Sequence, residues 1–97
     1  MDMHNPPHPG GFIQEIYLTP SAMSGRELAL HLGISPSTLN RLLNQTSGVS
    51  PEMALRLSKA LGRSPESWLS TQDHYDLWQA RQVVDLKSVR KISFSFA

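Results

Sequence analysis

The sequence predicts an all-α fold, a bundle of five helices followed by a short C-terminal strand. Three stretches begin with a Ser-Pro pair, in which serine is a favourable N-cap and proline fits the first helical position. Apolar residues then recur at three- and four-residue intervals, as on one face of a helix. The segment from Lys91 to Phe96 instead alternates polar and apolar residues, which is the period of a strand.

Length and composition predict one small cytoplasmic domain. The chain has 97 residues and no cysteine, which excludes disulfides and cysteine-based metal sites. No apolar run approaches the roughly 20 residues of a membrane helix, and the N-terminus lacks the blocks of a secretory signal. We expect a flexible N-terminal arm over residues 1–9, a helical domain over 10–82 and a tail over 83–97.

The first two helices precede the most informative segment. The first is predicted from about Gly10 to Leu18, closed by Thr19-Pro20. The second begins at Ser24, which forms a capping box with Glu27, and ends at Gly33. The spacing of Phe12, Ile13, Ile16 and Tyr17 indicates the first helix, and Leu28, Ala29 and Leu32 form one apolar stripe on the second.

The third helix has the features of a recognition helix. Ser35-Pro36 begins it after a tight turn, and Leu39, Leu42 and Leu43 form its apolar face. Its opposite face carries short polar side chains and one arginine, the residue types that enter a major groove and read base edges. These residues are Ser37, Asn40, Arg41 and Asn44. The pair of helices therefore predicts a helix-turn-helix that binds double-stranded DNA.

Two further Ser-Pro pairs predict the last two helices. Ser50-Pro51 begins a fourth helix that ends at Gly62, and Ser64-Pro65 begins a fifth that ends near Gln82. The predicted core stripe of the fourth helix is Met53, Ala54, Leu57, Ala60 and Leu61. The fifth helix carries the apolar residues Trp68, Leu69, Tyr75, Leu77 and Trp78.

The charge distribution fits a weak DNA binder that works as a dimer. The formal net charge is only +1, but residues 24–63 carry five Lys or Arg against two acidic residues. The next segment is acidic, with Glu66, Asp73 and Asp76. Because phosphate neutralisation supplies much of the affinity, so few cations favour a homodimer. Further phosphate contacts are expected from Arg26, Gln45, Thr46 and Ser47.

Dimerisation is predicted to run through the C-terminal third. The alternating tail places Ile92, Phe94 and Phe96 on one side of a strand with an unpaired edge. Pairing of that strand with its twofold mate would leave both recognition helices free. The large aromatic residues of the fifth helix are a second candidate for contact with another chain, with core packing as the alternative.

Catalysis, metal binding and cofactor binding are not predicted. The four histidines, His4, His8, His31 and His74, lack metal-ligand spacing. The serines lie at helix caps, and no nucleophile elbow is present. We therefore expect no enzyme activity and no cofactor.

From His8 to Trp78 the chain resembles HigA-type antitoxins, a branch of the phage-repressor-like (Xre) helix-turn-helix family. The most particular matches are the run Val49-Ser50-Pro51-Glu52-Met53-Ala54 and the block Ser64-Pro65-Glu66-Ser67-Trp68-Leu69. At two positions the chain departs from the family pattern. Gly11 stands where the family usually has glutamate, and Gln45 stands where it usually has glycine, which predicts a different loop path.

The resemblance implies an operator-binding dimer that represses its own operon and neutralises a HigB-type toxin, an mRNA endoribonuclease. It implies an inverted-repeat operator, base contacts from Ser37, Asn40 and Arg41, and phosphate contacts from Ser35 and Thr38. Two alternatives stay open, a solitary repressor without a toxin and a protein-interaction module that has lost DNA binding. For the toxin-binding face, the arm with the first helix is favoured over the acidic residues Asp73 and Asp76.

Overall fold

The computed structural model describes residues 5–95, and these form five helices. The first helix, α1, comprises an α-helical turn Pro9–Ile13, a π-helical segment Gln14–Leu18 and a last turn Thr19–Ser21. The others are α2 (Gly25–Leu32), α3 (Pro36–Leu43), α4 (Pro51–Leu61) and α5 (Pro65–Val83). The predicted five-helix fold is confirmed. None of the helices in residues 5–95 is long and apolar enough to cross a membrane.

Serine side chains fix the starts of α2 to α5 as the sequence predicts. In each helix the serine Oγ accepts a hydrogen bond from the backbone N–H three residues later, always at 3.1 Å. Each bond satisfies one of the donors that a helix N-terminus leaves unpaired. The four pairs are Ser24 with Glu27, Ser35 with Thr38, Ser50 with Met53 and Ser64 with Ser67.

The N-terminal boundary of the domain lies earlier than predicted. His8 and Pro9, placed in the flexible arm by the sequence analysis, are buried, and α1 begins at Pro9. The Nδ1 atom of His8 accepts from the backbone N–H of Gly10 at 2.9 Å, so histidine serves as the N-cap. The His8 ring also meets the edge of Tyr75 at a centroid distance of 4.9 Å. Residues 1–4 of the arm lie outside the described residues.

The C-terminal boundary of α1 lies later than predicted because a π-turn accommodates Pro20. The backbone N–H of Thr19 donates to Gln14 O, five residues back. This wider turn comes directly before Pro20, whose ring would clash with a carbonyl in a regular α-helix. The helix continues to Ser21 and ends at Ala22, which is left-handed with φ 58°.

The core forms where all five helices meet. Trp68 is fully buried, and its Nε1 donates to Gly62 O at 3.1 Å, so this tryptophan belongs to the core rather than to an interface. Of the residues predicted for the α4 stripe, Ala60 is exposed, because it faces an open groove between α2 and α4. The buried hydrophobic residues are Ile13, Leu18, Leu28, Ala29, Leu32, Leu39, Leu42, Val49, Ala54, Leu57 and Trp68.

A glycine allows α1 to lie against the backbone of α3. A Cβ on Gly10 would collide with the carbonyl oxygen of Leu42, at the C-terminal end of α3. The two backbones therefore approach more closely than any side chain would permit. This contact fixes the position of the α3 C-terminus.

The predicted C-terminal strand is not formed in the single chain. Residues 84–95 contain neither helix nor strand, and a turn in which Val89 N–H donates to Leu86 O at 2.9 Å interrupts them. Ile92 and Phe94 are 65% and 68% exposed, and Phe96 lies outside the described residues. A strand requires a neighbouring strand to complete its hydrogen bonds, and residues 5–95 contain no strand beside this segment.

Candidate nucleic-acid interface

Helix α3 presents its polar face to solvent and its leucines to the core. Leu39 and Leu42 are at most 1% exposed, and Leu43 is half-buried. The side chains of the predicted DNA-contacting face are all exposed and lie together along one side of the helix. These are Ser37, Asn40, Arg41 and Asn44.

Three hydroxyl groups cluster at the start of α3. The Oγ of Ser35 accepts from the backbone N–H of Thr38 and lies 2.8 Å from the Thr38 hydroxyl and 3.3 Å from the Ser37 hydroxyl. A phosphate oxygen can only accept hydrogen bonds, so a contact requires a hydroxyl proton that is not used internally. Two of the three hydroxyl protons join Ser35 to Thr38 and to Ser37, which leaves one proton of the cluster free to donate outward.

Backbone N–H groups of the loop after α3 cap the C-terminal end of this helix. The carbonyl oxygen of Arg41 accepts from the N–H groups of Thr46 and Ser47 at 2.9 and 3.2 Å and from the Thr46 hydroxyl at 3.0 Å. The hydroxyl proton of Thr46 is therefore engaged inside the protein, and this side chain is a poorer phosphate donor than the sequence suggested. Ser47 contributes its backbone to the same cap.

The two departures from the family pattern lie side by side. Gln45 adopts the left-handed conformation that glycine favours, with φ 65°. A Cβ on Gly11 would lie 3.1 Å from Nε2 of Gln45. The glutamine side chain thus extends over the space beside Gly11, and the backbone at position 45 keeps a glycine-like shape.

The start of α2 lies against the middle of α3. A Cβ on Gly25 would lie 3.4 Å from Leu43 Cδ1 and 3.8 Å from Asn40 Oδ1. Arg26, the next residue, is exposed. The residue before this exposed cation thus lies beside Asn40, on the polar face of α3.

A second polar surface is formed by the N-terminal segment, α1 and α5. Pro6, Pro7, Glu15, Trp78 and Gln79 line a cavity of about 320 Å³. The structure thereby places the N-terminal segment and α1, one of the surfaces considered for a protein partner, against α5, although neither Asp73 nor Asp76 lines this cavity. Residues 5–8 lie beside α5, the helix that also carries Asp76.

His8 lines this cavity, and its surroundings shift its pKa in opposing directions. Burial lowers the pKa of His8 below its ordinary value of 6.5, while the Asp76 carboxylate and a hydrogen bond to the Ser47 backbone act in the opposite direction. A neutral imidazole is what the Nδ1 cap on Gly10 requires, because a protonated Nδ1 cannot accept a hydrogen bond.

Sequence reasoning missed several residues that shape the interface. His8-Pro9 resembles the Ser-Pro pairs, because a polar residue precedes a proline. This pattern could have predicted the start of α1, although histidine is an unusual N-cap. Gln72 and Arg56 gave no such signal, since their partners are backbone groups distant in sequence. Gln72 Oε1 accepts from Val49 N–H at 2.9 Å, and Arg56 Nη1 donates to Leu32 O at 2.8 Å.

The fold and the exposed α3 face define a helix-turn-helix protein. The sequence profile of the helix-turn-helix family matches residues 15–68. The chain is 41% identical over 92 residues to the "Uncharacterized HTH-type transcriptional regulator YddM" of Escherichia coli strain K12, covering 95% of this chain and 97% of that protein. It is also 33% identical to the antitoxin HigA-1 of Vibrio cholerae, covering 74% of this chain and 68% of that protein.

A solved structure matches nearly the whole chain. The structure of antitoxin GraA in complex with its operator superposes with a TM-score of 0.83 at 34% identity, covering 97% of this chain and 98% of that one. The chain therefore belongs to the HigA-type antitoxins of the helix-turn-helix family.

Proposed function

We propose that this protein is an antitoxin that binds operator DNA as a homodimer, represses its own operon and neutralises a HigB-type mRNA endoribonuclease. The observation that carries the proposal is the exposed polar face of α3, backed by fully buried leucines, in a chain that matches an operator-bound antitoxin along nearly its whole length. The protein acts by binding, without catalysis or a cofactor, in the cytoplasm.

Each residue of the α3 face has a proposed role. Arg41 and Asn40 have the donor and acceptor geometry to read a guanine and an adenine bidentately in the major groove. Ser37 adds a shorter contact to a base edge. The proposed remaining contacts, which position the helix on the DNA backbone, come from Ser35, Thr38, Asn44 and Arg26.

The proposed dimer element is the tail, residues 83–97, attached to the DNA-binding domain of residues 10–82. Two half-sites about 34 Å apart require a symmetric pair of recognition helices on one face of the duplex. The exposed side chains of Ile92 and Phe94 support pairing with the same segment of a second copy, together with Phe96. The strand forms in this proposal only when a partner strand supplies its hydrogen bonds.

The proposed toxin-binding face combines the N-terminal segment, α1 and α5. Glu15, Asp73 and Asp76 give it acidic character, and a nuclease that binds RNA presents a basic surface. This face adjoins the polar face of α3 at Gln45, which follows Asn44 and lines the same cavity.

A solitary repressor is the second candidate, supported by the likeness to a relative named as a transcriptional regulator. The two candidates differ in one experiment. Where a small basic open reading frame lies beside the gene, co-expression of this protein should restore the growth that the reading frame alone arrests. The purified protein should also shift its own promoter DNA in a salt-dependent manner. Promoter binding without rescue of growth would favour the solitary repressor, and no promoter binding would contradict both.

A further inference from the structure

The side chain of Arg56 connects α4 to the turn of the helix-turn-helix. Its Nη1 donates to Leu32 O at 2.8 Å and to Gly33 O at 3.3 Å, which are the last carbonyls before the turn. Its Nε and Nη2 donate to the same Glu52 oxygen at 3.1 and 2.9 Å. Four hydrogen bonds thus fix the plane of one guanidinium group that is only partly exposed.

The turn is shaped around this guanidinium. Gly33 is left-handed with φ 71°, and a Cβ at this position would lie 3.2 Å from Arg56 Nη1. The cation also lies at the C-terminal end of α2, where the helix dipole favours positive charge. Only two residues separate Gly33 from the first residue of α3, so the orientation of the recognition helix depends directly on this turn.

We infer that Arg56 is a positioning residue for sequence-specific DNA binding. It acts by holding the end of α2, and hence the angle at which α3 enters the groove, without contacting a base. The inference rests on the proposed operator binding. A lysine cannot replace it, because one ammonium group cannot span two backbone carbonyls and a carboxylate in this planar arrangement.

The test compares affinities for specific and non-specific DNA. Arg56→Met and Arg56→Lys are titrated against a promoter duplex and against a scrambled duplex of equal length, at a temperature where circular dichroism shows each variant folded. Lys59→Met is the matched control, since Lys59 is a cation three residues along on the same helix and lines the same groove as Arg56. Wild-type protein that fails to distinguish the two duplexes would refute the proposed function itself.

A positioning role predicts a loss confined to the promoter duplex. Both Arg56 variants should lose about tenfold or more in affinity for it, comparable to one mismatched base pair. Affinity for the scrambled duplex should change less than about twofold, and the salt dependence should stay that of the wild type. Lys59→Met should bind the promoter duplex like the wild type.

Three results would overturn the inference. Equal losses on both duplexes with a shallower salt dependence would make Arg56 a phosphate contact. A loss of promoter affinity that the unfolded fraction of each variant fully explains would show that Arg56 contributes only to stability. Unchanged promoter affinity in the folded variants would show that the turn keeps its geometry without Arg56. If Arg56→Met does not fold, Glu52→Gln, which weakens the anchor of the guanidinium and keeps its bonds to α2, should give a smaller loss of the same selective kind.

Discussion

Arg41 is the side chain on the α3 face with the reach and geometry to read guanine. It is exposed, and its own carbonyl caps the helix end, so its backbone position is fixed. Arg41→Ala should weaken operator binding by about 1–3 kcal/mol and relax the preference at one base pair per half-site. Titration against single-substitution operator variants measures this. Arg81→Ala, an exposed cation on α5, should bind normally. A uniform loss across all operator variants would show that Arg41 contacts phosphate.

His8 should make the stability of the protein depend on pH. Because its pKa in the folded state lies below 6.5, the unfolded chain binds a proton more readily than the folded one. The free energy of unfolding should therefore be highest above about pH 6.5 and fall as the pH drops toward the folded-state pKa. His8→Asn keeps a side-chain acceptor for the Gly10 N–H but does not titrate.

Urea unfolding of both proteins between about pH 7.5 and pH 5 tests this expectation. The difference in unfolding free energy between wild type and His8→Asn should change with pH in the sense just given. His31 and His74 are exposed and present in both proteins, so their contributions cancel. A difference that stays constant with pH would show that His8 carries no linked proton.

At the scale of the elements, the sequence predicted helix starts well and helix ends less well. The Ser-Pro pairs place a cap and a compatible first residue in consecutive positions, so α3, α4 and α5 begin where predicted. The predicted end of α1 was wrong, because proline interrupts only regular α-helical hydrogen bonding and a π-turn precedes Pro20. Ala60 fits the apolar period but lies in the last turn of α4, beyond the core.

The packing of α1 against α3 should be highly sensitive to one methyl group. Gly10→Ala places a Cβ into the carbonyl of Leu42, a backbone atom that cannot rotate away. We expect a destabilisation of about 1–3 kcal/mol or more, as for other overpacked sites, and a lower melting temperature. Gly11→Ala is the matched control. Its Cβ would meet only the flexible end of Gln45, at 3.1 Å, so its melting temperature should stay near that of the wild type. Equal melting temperatures for the two variants would contradict the observed approach of the helices.

The candidate site was predictable where it depends on one helix and not where it depends on contacts between helices. The α3 face follows from spacing alone, because Ser37, Asn40 and Arg41 share a side at helical period. The bonds of Arg56 and the close approach at Gly10 join segments distant in sequence, and neither residue type specifies its partner. The alternating tail predicted a strand that residues 84–95 do not form, because the period of a sequence does not supply the neighbouring strand that a strand requires.

At the scale of the whole molecule, the tail should determine the oligomeric state. Truncation after Val84 removes the exposed segment that carries Ile92 and Phe94 and leaves the helices intact. The truncated protein should retain its helical circular dichroism, be a monomer or a much weaker dimer, and bind the full operator poorly. Light scattering at low micromolar concentration tests this, and a truncated protein that remains a tight dimer would exclude the tail as the dimerisation element.

The exposed tail has a consequence for the control of the operon. In the proposed dimer two tails pair, and this dimer is what occupies two half-sites. At low abundance its concentration rises with the square of the monomer concentration. Transcription would then shut off above a threshold concentration instead of declining gradually. An extended, exposed C-terminal segment is also the part of a domain most open to proteolysis. Monomers would be degraded faster than dimers, so a fall in antitoxin synthesis would accelerate its own loss and release the operon abruptly.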